Sequence, residues 1–229
     1  VVSNAVRPPM GIEGKEHITV SQKLYYNPNP NLSVLVYGSS FFMNTYDLIQ
    51  DMTFSQARDW TAGTKVTYHV KDWFSVTGSL HADFYDRFKR HERIDKRQKD
   101  YESSIYQPRL TVTSNYFNGH SLILGMEHTS DELTSDRFSG NANHDLKTRA
   151  LKETEYFLQD EWTINPRWMI SVGIRTNFSK AFGFMGMPKV AAKYSPDKHW
   201  SLRANYSMGY RSPSIKELFF NWDHLGMFM

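Results

Sequence analysis

Residues 200–210, WSLRANYSMGY, alternate between apolar and polar or small side chains along their whole length. Successive side chains of a β-strand point to opposite faces, so this alternation predicts a strand with one apolar and one polar face. The same pattern recurs at 74–84, 106–116 and 168–178, and more weakly near 17–26, 32–43, 60–70, 121–130, 152–163 and 187–195. The sequence therefore predicts an all-β chain of about ten strands, and no helical pattern of comparable strength is present.

The connections between these strands alternate between short and long. Short ones fall at 27–31, 70–72, 117–120, 164–166 and 195–198, and longer polar ones near 44–59, 87–103, 131–150, 179–186 and after 210. An antiparallel up-and-down meander with tight turns at one end and long loops at the other is typical of outer-membrane β-barrels. A soluble β-sandwich is the alternative, although its Greek-key connections would place long crossovers at both ends.

Composition is compatible with a transmembrane barrel. No run of about 18 apolar residues is present, which excludes a membrane-spanning helix. The mean hydropathy of −0.57 suits strands in which only every second residue faces lipid. Aromatic residues, 15% of the chain, cluster beside the short turns and predict a girdle at one membrane interface. The net charge of +3 is too small to predict a nucleic-acid partner.

The sequence contains no motif for catalysis or for a resident cofactor. It lacks HExxH, GxSxG, a Walker loop and GxGxxG, so we predict that the protein is not an enzyme. The basic stretch 87–100 predicts a solvated loop or a rim that attracts anions. Three histidines in the long connections, His91, His144 and His224, are candidate contacts for an external ligand such as haem. Apolar neighbours in WDHLGMFM make His224 the strongest of the three.

Residues 188–220, PKVAAKYSPDKHWSLRANYSMGYRSPSIKELFF, resemble TonB-dependent outer-membrane receptors. The matching box is Tyr210, Arg211, Ser212 and Pro213, followed by Glu217-Leu218. Tyr replaces the usual Phe and Ser the usual Ala, while Arg and Pro are kept. Upstream, YFLQDEWTINPRWMISVGIRTNF at 156–178 is similar to the family's recurrent hairpin of Gln-Asp-Glu-Trp, a tight turn and a strand that ends in Gly-x-Arg.

Asn29-Pro30-Asn31-Leu32 spells a second box, which haem receptors of this family carry shortly after the Arg-Pro box. Here it lies far upstream of Arg211 and inside a short connection. Asn and Pro suit tight turns through their backbone preferences, so we interpret these residues as a hairpin turn.

The resemblance implies a barrel of about 22 strands whose lumen is closed by an N-terminal plug. With about ten strands, residues 1–229 are expected to be an internal part of that barrel, without the plug and the closing strands. It further implies the outer membrane of a Gram-negative bacterium, with lipid around the barrel and TonB contacting the missing N-terminal region. A surface lipoprotein that hands over the ligand is a further candidate partner.

Three functions follow from these observations. The first is import of an iron complex, a siderophore or haem, bound by the extracellular loops; cobalamin or another nutrient is the alternative cargo within the family. The second is an outer-membrane enzyme similar to the omptin proteases, which are ten-stranded barrels. The third is a soluble β-rich binding module. In the first case haem or the siderophore is cargo, and no cofactor is expected.

Arg211 is expected to point toward the lumen or the loop crown, because it continues the polar parity of Arg203. Pro213 is expected to help end the strand, since proline lacks a ladder donor. A structural contact with Glu217 or a carbonyl and a contact with ligand both remain open for Arg211. Other cations predicted to line the lumen are Arg109, Arg175, Lys189, Lys193 and Arg203.

Overall fold

The computed structural model describes residues 13–47, 52–90, 97–138 and 145–220. It contains ten strands and one short helix: β1 (Glu13–Asn29), β2 (Leu32–Asp47), β3 (Met52–Lys71), β4 (Phe74–Arg90), β5 (Arg97–Ser114), β6 (His120–Ser135), β7 (Lys147–Asn165), β8 (Trp168–Ser179), β9 (Gly183–Tyr194), β10 (Leu202–Ser207) and α1 (Ile215–Phe219). The ten strands form one sheet in sequence order, each antiparallel to the next. The predicted all-β meander is confirmed.

Tight turns close one end of the sheet, which we call the turn end; the opposite end is the loop end. The Asn29 side chain accepts a hydrogen bond from the Asn31 amide at 3.0 Å. The Asn165 side chain accepts bonds from the amides of Arg167 and Trp168 at 2.9 and 3.0 Å. An Asn that bonds its own backbone two residues on stabilises a turn locally. The hairpin interpretation of Asn29–Leu32 is therefore confirmed.

The loop end differs from the sequence prediction. The basic stretch 87–103 was expected to be a connection, yet β4 continues to Arg90 and β5 begins at Arg97. The connection expected at 179–186 is only residues 180–182. Beyond an apolar layer both faces of a strand can be polar while the backbone ladder continues, so polarity alone does not mark a loop. The connection at 87–103 was overestimated for this reason.

The two faces of the sheet differ in polarity. Residues directly opposite each other in antiparallel strands share a face, and register places Leu24 opposite Val36 and Leu158 opposite Ile174. All four belong to the apolar face, where large hydrophobic side chains are exposed, Val20 by 61% and Val172 by 51%. The other face is polar. Among the described residues no second sheet covers the apolar face, which argues against the sandwich alternative.

Aromatic side chains form two belts on this sheet. Beside the short turns Trp73 contacts Tyr116 and Trp168 contacts Tyr194, with ring centroids 4.8 and 4.4 Å apart. A second belt, which the sequence analysis did not identify, lies nearer the loop end and contains the T-shaped pairs Phe42–Trp60, Phe84–Tyr106 and Tyr156–Phe178.

Spacing along β4 gives the distance between the belts. Phe74 and Phe84 share the apolar face ten residues apart, and ten residues of a strand tilted by about 40° rise about 26 Å. That height matches the apolar band of outer-membrane barrels, about 25 Å. Among the described residues no helix has the length and apolarity needed to cross a bilayer.

Candidate functional site

The segment after β10, residues 208–220, leaves the sheet and returns across its polar face; we call it the strap. The Met208 amide donates to the Pro188 carbonyl at 3.0 Å, which extends the pairing with β9 by one bond. Beyond this bond the backbone is irregular up to α1. The strand expected at 200–210 therefore ends at Ser207, so Pro213 does not terminate it and strand parity does not orient Arg211.

A capping box starts α1. Ser214 is the N-cap, and its hydroxyl accepts a bond from the Glu217 amide at 3.3 Å. The Glu217 carboxylate in turn accepts from the Ser214 amide at 2.8 Å. Ser-x-x-Glu is a sequence signal for a helix start. It could have revealed this helix, which is too short to show a helical period.

Glu217 also pairs with Arg211, which is one of the two roles left open for that arginine. The pKa of Glu217 is lowered from 4.5 to about 2, chiefly by the hydrogen bond from the Ser214 backbone and then by the Arg211 guanidinium. The side chain of Arg211 remains 77% exposed. These contacts lie within the strap and fix its conformation.

One side chain anchors the strap to the sheet. Ile215 is only 1% exposed and packs with Tyr101 of β5, Leu133 of β6 and Phe138 just beyond β6. These three residues form what we call the anchor pocket. Most of the sheet has no such core, because few other described hydrophobic side chains are buried. Ile215 thus makes the principal apolar contact between the strap and the wall.

Polar and cationic contacts surround the anchor. The Ser212 hydroxyl donates to the Glu153 carboxylate of β7. The Lys216 ammonium lies 4.8 Å from the centre of the Tyr101 ring, and the Arg149 guanidinium lies 5.2 Å from that of Phe219. Cations over aromatic rings are attracted by the ring quadrupole. The strap therefore reaches across β8 and β9 to contact β5, β6 and β7.

A further cationic and aromatic cluster lies beside the anchor pocket. Arg87 donates two hydrogen bonds to the Asp100 carboxylate, at 3.1 and 2.8 Å, and Lys89 lies 3.5 Å from the same carboxylate. The Tyr85 and Tyr101 rings meet edge to face at 5.5 Å. The polar sequence of 87–103 predicts a loop, so this cluster is not predicted from the sequence. We call Arg87, Lys89, Arg149, Lys216, Tyr85 and Tyr101 the loop-end cluster.

The polar face below the strap carries the cations predicted to line a lumen. Arg109 lies 3.4 Å from Glu127, and Arg175 pairs with Glu155 and lies 3.8 Å from Glu127. Asn177 donates to Glu155 at 3.3 Å. Acid and base thus neutralise each other across β5 to β8. The shared face predicted for these residues is confirmed by the register.

Farther along this face, three cations have no such partner among the residues that the structure describes. Lys189, Lys193 and Arg203 line a groove of about 340 Å³ together with Gln159 and Glu161. Lys193 and Arg203 are directly opposite each other in β9 and β10. Within the described ranges none of the three cations has an ion-pair partner. This part of the polar face is therefore net positive.

The sequence-predicted site residues fall into two groups. Tyr210, Arg211, Ser212, Pro213 and Glu217 all lie in the strap, so the structure brings them together. Their part in ligand uptake stays a prediction. The candidate ligand contacts His91, His144 and His224 lie outside the described residues.

A family model described as "TonB dependent receptor-like, beta-barrel" matches residues 14–227. The chain belongs to this receptor family. Two curated relatives from Vibrio cholerae, each named "Iron-regulated outer membrane virulence protein", are 24% identical over 160 residues. Each match covers 67% of this chain and 22% of the relative.

Solved receptors share the fold of this family member. The ferric enterobactin receptor PfeA of Pseudomonas aeruginosa superposes with a TM-score of 0.76 at 13% identity, over 93% of this chain and 36% of PfeA. The siderophore receptor PirA of Acinetobacter baumannii gives 0.72 at 12% identity, over 89% and 34%. The chain therefore spans about a third of these solved receptors.

Proposed function

We propose that this chain is part of the barrel wall of an outer-membrane receptor that imports an iron complex. The observation that carries the proposal is the loop-end cluster, which places cations and aromatic rings together where the polar face meets the loop end. Cations attract an anionic chelate, and aromatic rings offer flat apolar surface to its organic part. The names of the similar proteins, which include siderophore receptors and an iron-regulated protein, support the same cargo.

The apolar face supports a location in the Gram-negative outer membrane. Its exposed large side chains, between two aromatic belts about 26 Å apart, suit a lipid-facing surface. The partners that complete the proposal are membrane lipid, an N-terminal plug and TonB, the last acting through parts of the protein outside this chain. A surface lipoprotein that delivers the cargo is a further candidate partner.

An anionic ferric siderophore is the cargo we favour. The net positive groove of Lys189, Lys193 and Arg203 adds a second positive region to the polar face, beyond the neutralised stretch around Arg175. Haem, which carries carboxylates, is the second candidate, and its iron ligand would have to come from a histidine such as His224. Cobalamin remains the alternative within the family.

An outer-membrane protease has less support than import. That hypothesis rested on the number of strands, and the same strands match the receptor family over residues 14–227. Receptors of this family bind and transport a ligand and are not proteases. Peptide hydrolysis by the purified protein, lost when His91 or His144 is replaced, would restore the protease hypothesis.

Uptake by cells tests the proposed cargo. Bacteria that produce the complete receptor are depleted of iron and supplied with ferric enterobactin, haem or cobalamin, each radiolabelled. We expect accumulation of iron from ferric enterobactin, abolished in cells without TonB. Lys216→Ala combined with Arg149→Ala should weaken binding of the ferric complex, whereas Thr67→Ala, at a polar-face position on β3 far from the cluster, should leave it unchanged. Uptake of cobalamin alone would contradict the proposal.

A further inference from the structure

The strap is held to the wall by side chains and hardly at all by its backbone. Among the described residues its backbone pairs with the sheet at its start, where Met208 bonds Pro188, and it meets the segment after β6 at the isolated bridge between Phe138 and Phe220. A β-strand of the wall, by contrast, bonds its neighbours along most of its length. Segments held by few buried contacts open locally at low cost in free energy.

Contacts inside the strap outnumber its polar contacts with the wall. Arg211, Ser214 and Glu217 bond one another and remain together whether or not the strap is docked. Outside contacts of its side chains include Ile215 in the anchor pocket, Phe219 and Phe220 against Phe138, and the bond from Ser212 to Glu153. Lys216 also lies over the Tyr101 ring, and Arg149 of the wall lies over Phe219. The strap can therefore detach as a preformed unit.

A hinge is available where the strap begins. Gly209 follows the last bond to β9, and a Cβ atom added there would meet no atom within 4 Å. The backbone at this point is neither paired nor packed. Hinges are a few residues at the end of an element that absorb a change of backbone angles. Rotation at Gly209 would swing residues 210–220 away from β5 to β7.

The docked strap lies in the path of a solute that moves along the polar face. The strap covers the polar face near the loop end, so a solute that enters along this face meets the strap before it meets Arg109 and Arg175. Lys216 and Arg149 now rest over aromatic rings. An anionic complex that pairs with Arg149 of the wall competes with its contact to Phe219 of the strap and so favours the undocked state, as a ligand shifts an equilibrium only through differential affinity.

We propose that the strap, residues 208–220, is a gate that docks through Ile215 in the anchor pocket at rest and is released while the iron complex passes along the polar face. The gate rests on the proposed function, since it needs a solute that moves along this face. The juxtaposition of one fully buried isoleucine with an internally braced segment whose other residues are exposed or half-buried carries the proposal.

Thiol labelling measures the release. The chain contains no cysteine, so a single introduced thiol is the only one in this part of the receptor. In cells producing the complete receptor, Ile215→Cys places the thiol in the pocket. Leu218→Cys, on the same helix at a position 38% exposed, is the matched control. At rest we expect maleimide to label Ile215→Cys at least about tenfold more slowly than Leu218→Cys.

Ferric enterobactin supplied to energised cells should accelerate labelling of Ile215→Cys severalfold and leave Leu218→Cys unchanged. Labelling of Ile215→Cys at rest as fast as the control would overturn the docking. Slow labelling that stays slow during measured uptake would overturn the gate and leave the proposed function intact. Absence of uptake by the unmodified receptor would overturn the proposed function, and the gate with it.

A cross-link tests the same gate without altering the anchor. Ser212→Cys with Glu153→Cys joins the strap to β7 through a short bismaleimide whose linker contains a disulfide, because the native contact spans the long Glu153 side chain and a direct disulfide needs closer Cβ atoms. The control pair, Thr134→Cys with Thr148→Cys, receives the same reagent and joins β6 to β7, where the two hydroxyls are 2.8 Å apart. The cross-link should stop uptake in the first pair only, and a reductant that cleaves the linker should restore it. Uptake that continues in a fully cross-linked strap would show that the strap is a fixed brace.

Discussion

The wall and the strap both present polar groups to the same space, but they are held in place by different forces. The wall is a sheet in which each strand bonds to its neighbours along most of its length, from β1 to β9. The strap depends on one buried isoleucine and a few side-chain contacts. A ladder of many bonds tolerates the loss of any one of them, whereas a single anchor does not. Point substitutions should therefore affect the two regions very differently.

The largest effect is expected at the anchor. Ile215→Asp places an unpaired carboxylate in an apolar pocket. Truncating a buried isoleucine to Ala typically lowers stability by about 2–5 kcal/mol, and the buried charge should cost the docked strap more than that. The strap should undock while the ten strands persist. Trypsin should then cleave after Arg211 and Lys216 faster than in the unmodified receptor. The unheated variant should still migrate as a folded barrel on SDS gels, which shows that the strands persist. Leu218→Asp adds the same charge at an exposed position and should leave cleavage unchanged; equal cleavage in the two variants would contradict the anchor.

The wall should be sensitive where a turn needs glycine. Gly119 has φ 78°, and a Cβ atom there would lie 2.7 Å from the Thr163 carbonyl oxygen. A non-glycine residue in a left-handed conformation costs about 1–2 kcal/mol. Gly119→Ala should lower the free energy of unfolding by more than this, because of the added steric contact. Gly183 has φ 77° but open space around it, so Gly183→Ala should show the backbone cost only. Urea unfolding of the refolded receptor compares them, and equal losses would argue against the steric contact.

A smaller effect separates the two halves of the polar face. Arg175 pairs with acids, and its side chain is 47% exposed, so Arg175→Ala should lower the free energy of unfolding by at most about 1 kcal/mol. Lys189→Ala removes a cation without an acidic partner in the described ranges and should leave stability unchanged. The same unfolding titration measures both. A loss at Lys189 as large as that at Arg175 would mean that the groove is already neutralised.

The smallest effect is the pH dependence of the strap. The pKa of Glu217 is about 2 in the folded strap and 4.5 when unperturbed. A lowered carboxyl pKa stabilises the folded state fully above the unperturbed value and progressively less as pH falls toward the lowered one. Pepsin cleavage within the strap should therefore rise as pH falls below about 4.5 in the unmodified receptor. In Glu217→Gln this carboxyl is absent, so the part of the rise that comes from its protonation should be lost. Identical profiles of cleavage against pH in the variant and the unmodified receptor would contradict the pairing.

The alternation of apolar and polar residues predicted the parts of the strands that have one apolar face. The segments 74–84 and 168–178 were placed correctly within β4 and β8. The pattern faded at Arg90 and Arg97, because a strand outside the apolar layer keeps its ladder but no longer alternates. Sequence therefore located the spans better than the strand ends.

The strap was predictable only in its local chemistry. The box around Arg211 and the Ser214–Glu217 pair can be recognised from residues a few positions apart. Docking of Ile215 against Tyr101 and Leu133 joins residues far apart in the chain, and no local pattern encodes such a contact. The loop-end cluster was missed for a related reason, since its partners lie on different strands.

In the proposed receptor the apolar face contacts lipid while the polar face lines an aqueous lumen. Spin labels attached at Val172, which is 51% exposed on the apolar face, and at Lys189 in the groove test this directly in the complete receptor reconstituted in lipid vesicles. We predict that oxygen, which concentrates in lipid, accelerates relaxation of the label at Val172 more than a water-soluble nickel chelate does. At Lys189 the nickel chelate should have the larger effect. The same preference at both sites would contradict the account.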